Sequence, residues 1–257
     1  MKVVLLAGGY GTRISEESHL RPKPMIEIGE KPILWHIMKL YSYYGFHDFV
    51  ICLGYKGNYI KEYFSNFYLQ ASDITFDFRQ DNATIVHSNN VDPWRVTLVN
   101  TGLNTMTGGR VKRVAEHIKE EPFMLTYGDG VSNVDIGALL SFHRGQGKLA
   151  TVTAVRPLGR FGSLDLDELG GVNGFMEKPK GDGSWINAGF MVFQPEMLHY
   201  IRDDDTILEA ETLPLLAREG QLQAYQHQDF WQPMDTMRDK NVLEELWDSG
   251  SAPWKIW

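Results

Sequence analysis

Six residues near the start, Gly8-Gly9-Tyr10-Gly11-Thr12-Arg13, have the composition of an anion holder. Three glycines in so short a run let the chain bend where a Cβ would clash, so successive amide N–H groups can face one anion. Arg13 adds a planar, permanently charged fork at the loop's exit. A tight strand-to-helix turn with a solvated arginine would use the same residues, and the loop alone leaves both readings open. Further on, Lys23 stands between Pro22 and Pro24. Each proline restricts its own φ and the residue before it, which predicts a stiff, extended segment presenting one cation beside the loop. Asp129 lies between Gly128 and Gly130 just past an apolar run, where open α/β sheets place ligand-contacting groups. Asp-Gly is equally a common turn pair. Two familiar phosphate motifs fail here: no Lys-Ser/Thr pair follows the glycines as in a Walker A loop, and Ile14 stands where a dinucleotide fingerprint needs Gly or Ala.

The elements that must position these groups follow from periodicity. Residues 3–7 form an apolar strand feeding the glycine loop. Ile33, Leu34, Ile37, Met38 and Tyr41 share a helical face with Gly45 as the stop, and residues 49–53 form a second buried strand, which completes a βαβ opening. A helix over 58–67 precedes a hairpin from 74–78 and 84–87, and a strand over 95–99 follows. Gly108-Gly109-Arg110 then opens a helix carrying Val111, Val114, Ala115 and Ile118, and this glycine pair would let a second backbone approach a flat ligand. Strands over 123–126 and 151–155 flank a helix at 134–144. From Phe161 onward, strands at 161–166, 172–177 and 186–193 have tight, Gly-rich connections that suit antiparallel pairing. Helical stretches at 196–201 and 213–218 and an amphipathic helix with Val242, Leu243, Leu246 and Trp247 close the chain. The expectation is one α/β domain over 1–257: a Rossmann-like mixed sheet, mostly parallel and flanked by helices, with an appended smaller antiparallel β region.

Composition bounds the function. A chain of 257 residues with 43% hydrophobic and 23% charged residues is an ordinary globular protein. A formal net charge of −8 argues against nucleic acid as a partner, because phosphate neutralisation needs clustered Lys and Arg. The start is too short in apolar residues for a signal peptide and no long apolar run occurs, so no membrane association and a cytoplasmic location are expected. Cys52 is the only cysteine and sits in an apolar run, which reads as a small core residue. The 8 histidines show no His-Glu-x-x-His spacing, against a zinc site.

Leu-Ala-Gly-Gly-x-Gly-Thr-Arg followed by Lys-Pro-Lys-Pro-Met resembles the sugar-1-phosphate nucleotidylyltransferases. Met-Thr-Gly-Gly-Arg, Tyr-Gly-Asp-Gly, Glu-Lys-Pro-Lys-Gly, Ile-Asn-x-Gly and Phe-Trp-Gln-Pro-Met-Asp-Thr extend the resemblance, in order, over nearly the whole chain. Within that superfamily the set is most similar to the glucose-1-phosphate cytidylyltransferases. The resemblance implies the nucleotide-diphospho-sugar transferase fold and the transfer of CMP from CTP to glucose 1-phosphate, giving CDP-glucose and pyrophosphate, for deoxysugar and surface polysaccharide synthesis. It implies a mainly nucleotide-binding half over 1–155 and a mainly sugar-phosphate-binding half over 156–257.

The implied roles are as follows. Leu6, Ala7, Gly8, Gly9, Tyr10, Gly11, Thr12 and Arg13 would hold the nucleotide, with Lys23 facing the α-phosphate. Thr105, Gly109 and Arg110 would grip the cytosine, and Gly128 belongs to the same nucleotide side. Lys178 would bind the sugar phosphate and Asn187 or Glu177 the sugar hydroxyls, so that Arg13, Lys23, Asp129 and Lys178 form the catalytic set. Asp129 and Asp235 would hold Mg²⁺, a hard cation suited to carboxylates and phosphates. Asp235 also stands where a helix N-cap would, and Lys178 equally suits a solvated strand end. Asn187-Ala188-Gly189 departs from the family's Asn-Gly-Gly, and Trp185 adds bulk nearby, which bears on the acceptor. The alternatives are a nucleotidylyltransferase with another base or acceptor, and a non-catalytic nucleotide-binding module. The family tends to assemble, which implies a homo-oligomer. Trp247, Trp254 and Trp257 suit either a subunit contact or a tail packed on its own domain.

Overall fold

In the strand Lys2–Ala7 (β1), side chains alternate between two apolar clusters: Val3, Leu5 and Ala7 enter one, Val4 and Leu6 the other. A strand apolar on both faces belongs inside a sheet covered on both sides. The computed structural model describes residues 1–88, 91–118, 121–157, 163–166, 171–176 and 184–257. It contains that sheet, with seven strands: β1, Asp48–Leu53 (β2), Arg95–Asn100 (β3), Phe123–Tyr127 (β4), Ala150–Val155 (β5), Ile186–Phe193 (β6) and Leu222–Gln226 (β7). Their order is β7-β5-β6-β4-β1-β2-β3. β6 runs antiparallel to both of its neighbours, and every other pair is parallel. This is the mixed, mostly parallel sheet expected from the sequence.

Helices cover both faces. Ile33–Tyr43 (α1), Gly57–Gln70 (α2), Ile136–Gln146 and Met237–Asp248 feed the cluster that holds Leu5, while Thr107–Arg113 and Leu213–Arg218 feed the one that holds Val4. In chain order Thr107–Arg113 is α3, Ile136–Gln146 α4, Leu213–Arg218 α5 and Met237–Asp248 α6. α1 begins straight after Pro32, buries Ile33, Leu34, Ile37, Met38 and Tyr41, and is followed by Gly45 at a positive φ of 83°. Each fully buried aliphatic or aromatic side chain of this kind contributes roughly 1.5–3 kcal/mol. Cys52 is a core residue on the Val4 face, and burial pushes its thiol up to about 12.

Ile74–Asp77 and Ala83–Val86 pair as the expected hairpin outside the main sheet, and Ser163–Leu166 pairs antiparallel with Val172–Met176. One expectation changes, two short strands were not foreseen, and one open alternative is decided. Pro22-Lys23-Pro24 is not extended: Lys23–Met25 forms one 3-10 turn, closed by the Met25 N–H donating to Pro22 O at 2.8 Å. Pro24 sits in the first turn, where its fixed φ is helical and its missing N–H costs nothing. The short strands Leu222–Gln226 and Trp231–Pro233 carry too few apolar residues to be read from periodicity. The aromatic tail packs on its own chain: Trp254 is 1% exposed, stacks on Phe230 and donates Nε1–H to His36 Nδ1 at 3.3 Å.

Candidate active site

β1 ends at Ala7, and the chain turns sharply through Gly8 beneath a second turn at the end of β2. A Cβ on Gly8 would lie 2.2 Å from Arg110 Nη1 and 3.0 Å from Gly54 N, so only glycine fits. Gly11 has a positive φ of 65° and leads into the 3-10 turn Thr12–Ile14. Among the described residues no protein acceptor takes the amide N–H groups of Gly9, Tyr10, Gly11 or Thr12. They line a cleft of about 540 Å³ together with Leu6, Ala7, Arg13, Lys23, Thr105, Arg110 and Asp129. The loop therefore offers an anion the row of donors that its composition suggests.

Four charged groups meet at the mouth of this cleft. Lys23 Nζ donates to Asp129 Oδ2 at 2.7 Å and to Asp235 Oδ1 at 2.6 Å, and Arg13 Nη1 donates to Asp235 Oδ2 at 2.8 Å. Burial works to lower the Lys23 pKa, but the two carboxylates outweigh it, so it lies above the ordinary 10.5 and the amine stays charged. The lysine side chain is 9% exposed, whereas Arg13 is 76% exposed and can swing onto a ligand. Asp235 is not the helix cap. That role belongs to Thr236, whose Oγ1 accepts from the Asp239 N–H in a reciprocal capping box. The Asp235 carboxylate is thus left to the cluster.

The groups expected around the base are more structural than the sequence suggests. Arg110 is 5% exposed and spends its guanidinium on four backbone carbonyls and one hydroxyl: Nη1 donates to Leu53 O, Thr101 Oγ1 and Gly102 O, and Nη2 donates to Gly8 O and Leu103 O. It thereby ties together the loops that follow β1, β2 and β3. The backbone approached by the second glycine pair is the protein's own. Cβ atoms on Gly108 and Gly109 would lie 2.7 Å from Thr206 O and 2.4 Å from Asp204 O. Gly128 is pressed between Leu6 O and Pro24 in the same way. Thr105 is buried and does face the cleft.

A second cleft of about 380 Å³ shares Arg13, Tyr127, Asp129 and possesses its own wall of Asn187, Ala188, Glu209 and Trp231. β6 reaches it through an irregular step: Met191 opposes Val152 and Asn187 opposes Ala154, so β6 advances further than its partner. Asn187 Oδ1 accepts the Gly189 N–H at 2.8 Å, and Gly189, at a φ of 84°, lies flat against the Tyr127 ring. Tyr127 donates its hydroxyl to Glu209, whose other oxygen accepts from Thr107 Oγ1 at 2.6 Å. Burial, then the Glu209 charge, pushes the Tyr127 phenol far up. Trp231 Nε1 donates to Ala188 O at 2.8 Å. Trp185 packs against Arg156 instead of the cleft wall, at 4.5 Å. Glu177 and Lys178 lie outside the described residues. Tyr127, Glu209 and Trp231 were not singled out from sequence. Trp231 had a signal, since it stands in the same Phe-Trp-Gln-Pro-Met-Asp-Thr run as Asp235.

The donor set fits a hard divalent cation. Asp129 and Asp235 supply two carboxylates beside the row of amide donors of the glycine loop, and Mg²⁺ is commonly bound by one or two carboxylates plus substrate phosphates. Among the described residues no group of three or more acidic, His or Cys side chains forms a cation cage. No helix of the described residues is long and apolar enough to cross a membrane.

Residues 2–239 match the Nucleotidyl transferase family. The chain is 57% identical to the glucose-1-phosphate cytidylyltransferase of Salmonella typhi, and the match covers 100% of both chains. It is 40% identical to a protein of Bacillus subtilis described as a probable glucose-1-phosphate cytidylyltransferase, again over 100% of both. The structure superposes on that of a UDP-glucose pyrophosphorylase complexed with UDP-glucose with a TM-score of 0.67, at 15% identity, covering 97% of this chain and 98% of the other. At that identity the likeness speaks for the fold alone, the nucleotide-diphospho-sugar transferase type.

Proposed function

The chain belongs to the nucleotidyl transferase family, and on that premise we propose that it transfers the CMP group of CTP to glucose 1-phosphate, giving CDP-glucose and pyrophosphate. The observation that carries the reaction type is Lys23 Nζ, fixed by two carboxylates where two clefts meet below a glycine loop with unused amide donors. The choice of CTP and glucose 1-phosphate is supported by the full-length identity to relatives so described.

In this reaction an oxygen of the sugar phosphate attacks the α-phosphorus, a new P–O bond forms opposite the leaving oxygen, and the bond to the β-phosphate breaks. The nucleophile is already ionised near neutral pH, so no general base is needed. Repulsion and alignment between two polyanions set the barrier, and catalysis consists of positioning and charge. Residues 6–13 hold the β- and γ-phosphates on backbone amides, with Arg13 turning from Asp235 to the departing pyrophosphate. Lys23 meets the α-phosphate, where negative charge is shared between the incoming and outgoing oxygens. Thr105 bounds the base. Asn187 and Tyr127 line the acceptor side, to which Glu177 and Lys178 are assigned by the resemblance.

Asp129 and Asp235 are the residues to hold Mg²⁺, which when bound would neutralise phosphate charge. We assign residues 1–155 mainly to the nucleotide and 156–257 mainly to the acceptor, a cytoplasmic location, a homo-oligomeric state, and a product used for deoxysugars of surface polysaccharide. The test is pyrophosphate release across a matrix of nucleotides and phosphorylated sugars. Turnover should be highest with CTP and glucose 1-phosphate; preference for dTTP or UTP would overturn the base, and binding without release would favour a non-catalytic module.

A further inference from the structure

The Lys23 ammonium stands between the carboxylates of Asp129 and Asp235. Its Nζ lies 2.7 Å from Asp129 Oδ2 and 2.6 Å from Asp235 Oδ1. A divalent cation shared by those oxygens needs contacts of roughly 2.0–2.1 Å and would have to stand where the ammonium now is. Arg13 takes the second oxygen of Asp235 at 2.8 Å. Among the described residues two cations face two anions here, and their formal charges cancel, which weakens the pull of the carboxylates on a metal. We infer that Lys23 acts as a built-in occupant of the metal site, so that a divalent cation binds tightly only once a nucleotide phosphate has drawn the ammonium away from Asp129 and Asp235.

The geometry allows the exchange. Lys23 sits on a one-turn 3-10 helix and lines the nucleotide cleft along with the amides of the glycine loop, while its partner Asp129 lines both clefts and Asp235 the second. An arriving α-phosphate offers the ammonium an anionic partner on that side. The vacated carboxylates, with the phosphates, then offer oxygen ligands on the other. Nucleotide and metal thereby help each other bind, and thermodynamic linkage makes the coupling equal in both directions. Lys23 is in this respect a positioning residue as well as one that touches substrate.

The inference rests on the metal assignment proposed above, and the test separates the two. Binding of Mn²⁺, used as the probe, is measured by the paramagnetic resonance signal of the free ion on the full chain without nucleotide. The unmodified protein should bind weakly, and Lys23→Met and Lys23→Gln should each bind at least tenfold more tightly. Lys23→Arg, which keeps the positive charge, should stay weak. CDP-glucose should raise the affinity of the unmodified protein toward that of Lys23→Met. Equal Mn²⁺ affinity in the unmodified protein, Lys23→Met and Lys23→Gln would overturn the occupancy. Adding Asp129→Asn or Asp235→Asn to Lys23→Met should remove the tight site; if tight binding persists, the metal assignment itself fails. Circular dichroism confirms that each variant is folded, and the Met and Gln variants provide independent routes to the same comparison.

Discussion

The two clefts that share Arg13, Tyr127 and Asp129 are built by different means. The cleft proposed for the nucleotide is built largely on backbone: the turns after β1, β2 and β3, all parallel, are laced by Arg110 to five acceptors, and the glycine loop turns amide donors toward the cleft. The second cleft, proposed for the acceptor, is walled by side chains from separate segments: Asn187 on β6, Tyr127 on its neighbour β4, Glu209 on the helical turn Leu208–Thr212 and Trp231 on the short strand Trp231–Pro233. A triphosphate presents the same oxygens whatever its base, and a backbone cradle suits it. A sugar is distinguished by the direction of each hydroxyl, which only side chains can match. The molecule thus keeps its fixed task on main chain and its selective task on replaceable groups.

Asp129 belongs to both sides, so its loss should not respect the division. Asp129→Asn should lower kcat by about 10²–10³-fold, the scale of a lost electrostatic contact to the transition state, and do so with any acceptor. Steady-state pyrophosphate release checks this, and unchanged activity would remove the residue from the mechanism. Arg110→Met should separate the sides. It orphans several buried acceptors at a cost of about 3 kcal/mol or more in unfolding free energy, and raises KM for all nucleotides alike while sparing KM for the sugar phosphate. A KM rise confined to CTP would instead make Arg110 a reader of the base.

His36 should affect both sides equally, because it lies behind them under Trp254. Burial, foremost, lowers its pKa from 6.5 to about 4. As pH falls below 6.5 the unfolded chain takes up the proton first, so the stability due to the neutral ring is whole above pH 6.5 and lost progressively toward pH 4. The total is about 3 kcal/mol. Denaturant titrations of the native chain and His36→Gln, which should flatten that stretch of the profile, measure it. The smallest effect comes from the Tyr127 hydroxyl: the residue lines both clefts, but its hydroxyl meets Glu209, which lines only the second. Tyr127→Phe removes one hydroxyl from Glu209 and should cost about 1 kcal/mol, seen as a several-fold rise in KM for glucose 1-phosphate with KM for CTP unchanged.

This division also decides what could be read from sequence. Gly8 to Arg13 is contiguous, and a loop that offers backbone announces itself through glycine, so the cleft it lines was legible. The parallel strands were legible too, because burial on both faces leaves short, wholly apolar runs such as residues 49–53. Glu209 was not, since it is an ordinary residue made relevant only by remote segments meeting, while Tyr127 and Trp231 lay inside quoted motifs without standing out from their neighbours. Gly108 and Gly109 misled for a related reason: glycine marks a close approach without saying what approaches, and here it is Asp204 and Thr206. Asp235 was ambiguous between cap and ligand because Thr236, next to it, is the better cap.

Lys23 and Asp129 are held by elements near the sheet's centre, but Asp235 arrives with α6, which docks through Trp247 against Gly29 and through Glu244 onto the Gly29 N–H. The contact between Lys23 and Asp235 therefore spans most of the chain, and closing so long a loop is among the slower steps of folding. A chain emerging from the ribosome would have its glycine loop and the strands around it long before Asp235 has been made. The ion pair at Lys23 thus ties the glycine-loop end of the chain to the segment before α6, and it can close only after all seven strands of the main sheet have been made.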